Sequence, residues 1–148
     1  MTLAPDEAPL EETRAVLARA SAVWGRWSCP ASGCCCQLAA TGRPPWLWPT
    51  EWQVLRAELE AQQRPLPPPR QDGGCALLDA GGRRCTVYEA RPAGCRTYFC
   101  QDGVGPPLPG QRTHELLDEL AAINIGLDPG CAPRPLPEWL ADPEPVVG

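Results

Sequence analysis

Nine cysteines in 148 residues are the side chains of this chain most able to do chemistry, and three of them, Cys34, Cys35 and Cys36, are consecutive. They fall into two groups, Cys29, Cys34, Cys35, Cys36 and then Cys75, Cys85, Cys95, Cys100, with Cys131 isolated in the tail. Thiolates bind soft or borderline metals, and both structural zinc and iron–sulfur clusters are commonly held by four of them. The count permits two four-thiolate sites, or one cluster with unused cysteines.

Local geometry constrains the triplet. In an extended segment Cys34 and Cys36 project to one side and Cys35 to the other, so the three do not readily serve one tetrahedral ion. The triplet is split between centres, or bridges a polynuclear one, or includes a bystander. A disulfide between adjacent residues is poor geometry, because bridged Cα atoms usually lie about 4.4–6.8 Å apart whereas neighbours are about 3.8 Å apart.

Charge points the same way. A four-thiolate site keeps a residual charge of about −2 whether it holds Zn²⁺ or a 4Fe-4S core. Between Cys75 and Cys100, Arg83, Arg84, Arg91 and Arg96 outweigh Asp79 and Glu89, although the whole chain carries −5. Guanidinium groups there can stabilise thiolates and donate hydrogen bonds to them, Arg91 and Arg96 in particular. Arg83 and Arg84 read equally well as solvated turn residues.

The run Cys75-Ala-Leu-Leu-Asp79, then Cys85-Thr-Val-Tyr-Glu-Ala-Arg-Pro-Ala-Gly-Cys95-Arg96 and on to Cys100, resembles the YkgJ-like cysteine-cluster family, described as zinc- or iron-chelating domains and often labelled iron–sulfur proteins. The resemblance covers roughly residues 27–100 and implies a metal cofactor, a 4Fe-4S cluster or zinc. Cys75, Cys85 and Cys95 match its motif residue by residue, and Cys100 follows in a compatible position. The N-terminal half departs from the pattern: where the family has two CxxC-like steps before a Cys-Cys pair, Cys29 is followed by four residues and the triplet.

The start, Met1-Thr2-Leu3-Ala4-Pro5-Asp6-Glu7, has neither a basic nor an apolar region of the kind that directs export, and no stretch approaches the ~18 apolar residues of a membrane span. The expectation is a cytoplasmic protein, where disulfides are uncommon and clustered cysteines bind metal or do redox chemistry. All 13 basic residues are Arg, scattered rather than in a run, which argues against nucleic-acid or membrane binding. An unknown protein partner remains open. No Ser-His-Asp set, HExxH or phosphate-binding glycine loop is present, so binding is expected rather than catalysis, and an enzyme would have to be an iron–sulfur oxidoreductase. His114, the single histidine, reads as an ordinary exposed residue. The alternatives to a metal cluster are a structural zinc module that binds a protein partner and a thiol redox switch.

These cysteines need elements to position them. The expected fold is mainly α with irregular loops and one short β-hairpin, a small metal-organised single domain over residues 1–148 with its cysteine core at 27–100. One Phe, one Met, 20 Pro and 14 Gly leave few large core-forming residues, so metal would organise part of the fold. Leu10, Leu17 and Trp24, with Val16 and Val23, predict a helix from Pro9 to about Trp27. Thr50 followed by Gln53 suggests a capping box opening a second helix with Trp52, Leu55 and Leu59 on one face, ended by Pro65. Residues 63–74 read as a Pro/Gly loop. Cys75–Asp79 and Cys85–Tyr88 around Ala80-Gly81-Gly82 predict a hairpin bringing Cys75 near Cys85. A C-terminal helix is expected over 113–125 with Leu116, Leu120 and Ile123 inward. The Pro-rich tail 128–148 is expected to wrap irregularly, anchored by Leu136, Trp139 and Leu140. Trp24, Trp27, Trp46, Trp48 and Trp52, near the first cysteine group, read as core shielding for the metal.

Overall fold

A computed structural model describes residues 7–24, 44–82, 84–96 and 110–143. It is mainly helical with irregular loops, as the sequence suggests. Helix α1 (Glu7–Trp24) begins two residues before Pro9, which its first turn tolerates because no intrahelical partner awaits that N–H. Thr13, Val16, Leu17 and Ala20 form its buried stripe at i, i+3, i+4 and i+7.

The short strand β1 (Trp46–Leu47) leads into helix α2 (Pro49–Ala61). The expected cap is corrected here: Trp48, not Thr50, is the N-cap, Pro49 takes the first helical position, and Thr50 lies inside the helix. The capping group is the carboxylate of Glu51, whose Oε1 accepts the Trp48 N–H at 3.0 Å. Trp52, Val54, Leu55 and Leu59 turn inward. At the other end the Arg64 N–H bonds the Leu59 carbonyl at 3.0 Å and the Gln63 N–H bonds Glu60 at 2.9 Å, with Gln63 left-handed at φ 56°. This is a Schellman termination with glutamine in the usual glycine position, and it ends the helix before Pro65 is reached.

Helix α3 (Ala93–Arg96) follows a 3₁₀ turn at Tyr88–Ala90, and helix α4 (Gly110–Leu127) completes the main layer. Thr13 Oγ1 donates to Thr50 Oγ1 at 2.9 Å, and Asn124 accepts the Thr50 N–H at 3.0 Å while donating to Thr50 Oγ1 at 2.9 Å. Arg19 reaches Glu119 at 3.0 Å. Thr13 thus lies level with Asn124, and Arg19 with Glu119, so α4 runs antiparallel to α1. The buried stripe of α4 is Leu116, Leu120 and Asn124, with Ile123 only half-buried at its edge.

The tail differs from expectation. Strand β2 (Arg134–Pro135) pairs antiparallel with β1, Trp46 opposite Pro135 and Leu47 opposite Arg134, and helix α5 (Leu136–Ala141) follows. Leu136 and Trp139 sit at helical spacing and are both buried, which favours a short helix over an irregular wrap. Trp139 stacks on Trp52 with ring centroids 5.7 Å apart and donates from Nε1 to the Leu47 carbonyl at 3.0 Å. Arg134 lies over the Trp139 ring and donates to the carbonyls of Glu138 and Asp142, a cation at the helix's negative end. Of the tryptophans expected to shield the metal, Trp52 is buried in the core, whereas Trp46 is 58% exposed on its two-residue strand.

Candidate metal centre

The segment carrying Cys75 and Cys85 folds back on itself. Leu78 bridges Cys85 in antiparallel register, Asp79 N–H bonds the Arg84 carbonyl at 2.8 Å and Thr86 N–H bonds Leu77 at 2.9 Å. Thr86 Oγ1 donates to the same Leu77 carbonyl at 2.6 Å. The expected hairpin is thus shortened to one bridge, and Tyr88–Ala90 turn into a 3₁₀ helix instead of extending the strand. The reason is packing, since Val87 and Ala90 are drawn into the core with Leu77 and Leu78. At the tip the Gly82 N–H bonds the Asp79 carbonyl at 2.9 Å, with Gly82 at φ 70°, a conformation strained for other residues. Cys75 begins the turn that ends at Leu78, through Leu78 N–H to the Cys75 carbonyl at 3.1 Å. Cys75 is 7% exposed and Cys85 half-buried, both packed in the core cluster.

A polar clamp holds the approach to Cys75. Arg70 donates from Nη2 to Asp72 at 2.9 Å and from Nη1 to the Asp79 carbonyl at 2.8 Å, tying the loop to the hairpin. Asp72 Oδ1 in turn accepts the Gly74 N–H at 2.9 Å. The Arg70 hydrogen bond, then that of Gly74, lowers the Asp72 carboxyl to about 2. The Arg70 guanidinium is raised, first by its bond to Asp72, with smaller attraction from Asp72, Asp79 and Cys75.

Helix α2 carries the rest of the segment along its length. At its C-cap, Gln62 Nε2 donates to the Thr86 carbonyl at 3.1 Å, one residue beyond Cys85. In its first turn, Glu51 Oε2 accepts the Ala93 N–H at 2.8 Å, at the start of the helix that holds Cys95. These anchors are eleven residues apart, roughly 16 Å along the axis. Between them Arg91 lies over the Tyr88 ring at 3.6 Å and donates from Nε to the Tyr88 carbonyl at 2.9 Å. Cys95 is half-buried, its N–H bonded to Pro92 at 3.0 Å.

Of the eight cysteines expected to bind metal, Cys75, Cys85 and Cys95 are described, and all three are thiols. Cys29, Cys34, Cys35, Cys36 and Cys100 lie outside the described residues, as does the side chain of Arg96. The single bridge sets Cys85 opposite Leu78, three residues beyond Cys75, whereas Cys95 stands on a separate element. Among the described residues no three His, Cys, Asp or Glu side chains form a group able to hold a metal ion. The donor chemistry nevertheless fits zinc or an iron–sulfur cluster, since thiolate sulfur is the characteristic ligand of both. Cys131 behaves differently: its thiol contacts the Asn124 carbonyl at 3.4 Å, and its pKa is raised by burial and then by Asp128. His114 is exposed on α4.

Three contributors were not evident from sequence: Glu51, Gln62 and Arg70. Only Glu51 had a readable signal, a carboxylate two residues after a proline that opens a helix.

A cysteine-rich chain whose thiols are carried on a small helical scaffold is a metal-chelating domain by its donor set. The family model for the CxxCxxCC pattern, described as "Putative zinc- or iron-chelating domain", matches residues 28–116, more than half of the chain. The chain belongs to this family, in agreement with the resemblance carried by the motif from Cys75 to Cys95, and metal binding is its broad function. No curated protein and no solved structure matches it. Among the described residues no helix is long and apolar enough to cross a membrane.

Proposed function

We propose that this protein binds an iron–sulfur cluster through thiolates drawn from Cys29, Cys34, Cys35, Cys36, Cys75, Cys85, Cys95 and Cys100. The observation that carries the reading is the placement of Cys75, Cys85 and Cys95 as thiols beside backbone anchored to opposite ends of α2. Anchors that far apart leave room for two centres, and the alternating projection of the triplet suits a polynuclear centre better than one tetrahedral ion. Arg70, tied to Asp72 in the loop that leads into Cys75 and to the Asp79 carbonyl, would offset part of the negative charge that four thiolates leave on a cluster. When bound, the cluster supplies one-electron chemistry, and the reading places the protein in the cytoplasm as an electron carrier or sensor rather than a hydrolytic enzyme.

Zinc is the second reading, favoured by the burial of Cys75, since closed four-thiolate zinc sites are structural and water-poor. The test is substitution of Cys75, Cys85 and Cys95 singly by serine, with iron, sulfide and zinc measured in each purified variant. Each loss of a ligand is expected to lower metal content and weaken the fold together. Folded variants with full metal content would contradict the assignment.

A further inference from the structure

The geometry points to Glu51 as the positioning residue for Cys95, an inference that rests on the proposed metal-binding role of that cysteine. Glu51 is 2% exposed, and a carboxylate is almost never so buried unless it is paired. Its two oxygens accept from two different elements: Oε1 from the Trp48 N–H at 3.0 Å, Oε2 from the Ala93 N–H at 2.8 Å. Capping α2 alone would not require burial, because an N-cap Ser or Asp at the surface satisfies the same donors. What burial adds is the second bond, and the element it reaches is the four-residue helix that carries Cys95.

So short a helix has little stability of its own, since helix formation depends on a costly first turn. The position of Cys95 therefore depends on what holds the start of α3. On one side are the packed Pro92 and Ala93, both buried. On the other is the short bond from the Ala93 N–H to Glu51 Oε2 at 2.8 Å. Because Glu51 is also fixed to the first turn of α2, Cys95 is held in register with the helix whose far end bonds the Thr86 carbonyl, next to Cys85. Glu51 acts on the ligand through the backbone N–H of Ala93.

The test uses the full-length chain with two variants that break the link from either side. Glu51→Gln places an amide NH₂ against one of two backbone donors, and Ala93→Pro deletes the α3 donor at a helix start, where proline is accommodated. Thr13→Val is the control, a buried polar substitution that leaves the Thr50 N–H bonded to Asn124 and so keeps the first turn of α2 satisfied. Thiol labelling of metal-free protein, read residue by residue by mass spectrometry, is expected to show Cys95 reacting about tenfold faster in both variants with Cys131 unchanged. Competition with a chelator is expected to show metal held about tenfold less tightly, while Thr13→Val retains parental affinity. Should Glu51→Gln fail to fold, Ala93→Pro carries the test, because it leaves the Glu51 bond to Trp48 in place.

Cys95 labelling within twofold of the parent in folded variants would overturn the inference, as would an equal acceleration in Thr13→Val. A parent chain that takes up no metal would contradict the proposed function instead, and the labelling of the metal-free protein would still decide whether Glu51 positions Cys95.

Discussion

Asn124→Ala tests whether the three long helices are joined by the polar knot at their centre. Asn124 accepts the Thr50 N–H at 3.0 Å, donates to Thr50 Oγ1 at 2.9 Å and donates to the Leu120 carbonyl at 2.9 Å, all at 1% exposure. The bond with the largest consequence is the first. Thr50 lies in the first turn of α2, where its N–H has no intrahelical partner, and alanine leaves that donor buried and unsatisfied at about 1–3 kcal/mol. Losing the bond to Thr50 Oγ1 adds about 1 kcal/mol, while Leu120 keeps its helical environment, so the total is about 3 kcal/mol. Thr13→Val removes only the donor at the edge of the network, because Thr50 Oγ1 still receives Asn124, and is expected to cost about 1 kcal/mol. Urea unfolding followed by circular dichroism measures both. With a slope of about 2 kcal/mol/M, Asn124→Ala lowers the midpoint by about 1.5 M and Thr13→Val by about 0.5 M. Equal shifts for the two variants, or a shift below about 0.5 M for Asn124→Ala, would refute the claim that Thr50 depends on Asn124.

Other consequences are as direct. Trp139→Ala removes the ring stacked on Trp52 and the donor to Leu47, and is expected to destabilise by about 3–5 kcal/mol in the same unfolding assay. Gln63→Gly relieves the left-handed backbone at φ 56° and should stabilise by up to about 1 kcal/mol, read as a higher urea midpoint. The Asp72 carboxyl, lowered from 3.8 to about 2 by Arg70 and then by Gly74, favours the folded loop above pH 4 and loses that contribution as pH falls through about 2. Carboxyl NMR titration should find that midpoint, and Arg70→Gln should return it toward an ordinary aspartate value.

The helices were legible because their apolar spacing is local information: Val16 and Leu17 in α1, Trp52, Leu55 and Leu59 in α2, and Leu116 and Leu120 in α4 all face the core. Their polar connectors were not. Asn124 completes the buried stripe of α4 because Thr50 waits opposite, and that partner lies 74 residues away in the chain. The start of α2 misled for a similar reason: Thr50 and Gln53 form a capping pattern in sequence, yet the carboxylate between them both caps the helix and reaches Ala93. The tail was read from its prolines as irregular, whereas Pro135 supplies the extended entry to α5 and Trp139 the burial that stabilises it. In the candidate site, Cys75, Cys85 and Cys95 were recognisable from residue types at fixed offsets. The arrangement that sets Cys95 on an element apart from the other two depends on the path of the chain along α2, which no local pattern records.

The most direct measurement is of the full-length protein purified without oxygen, by elemental analysis for iron, sulfide and zinc together with its visible absorption spectrum. Iron and sulfide in stoichiometric amounts with sulfur-to-iron charge-transfer bands are predicted, whereas zinc alone in a colourless protein, or no metal at all, would contradict the iron–sulfur assignment.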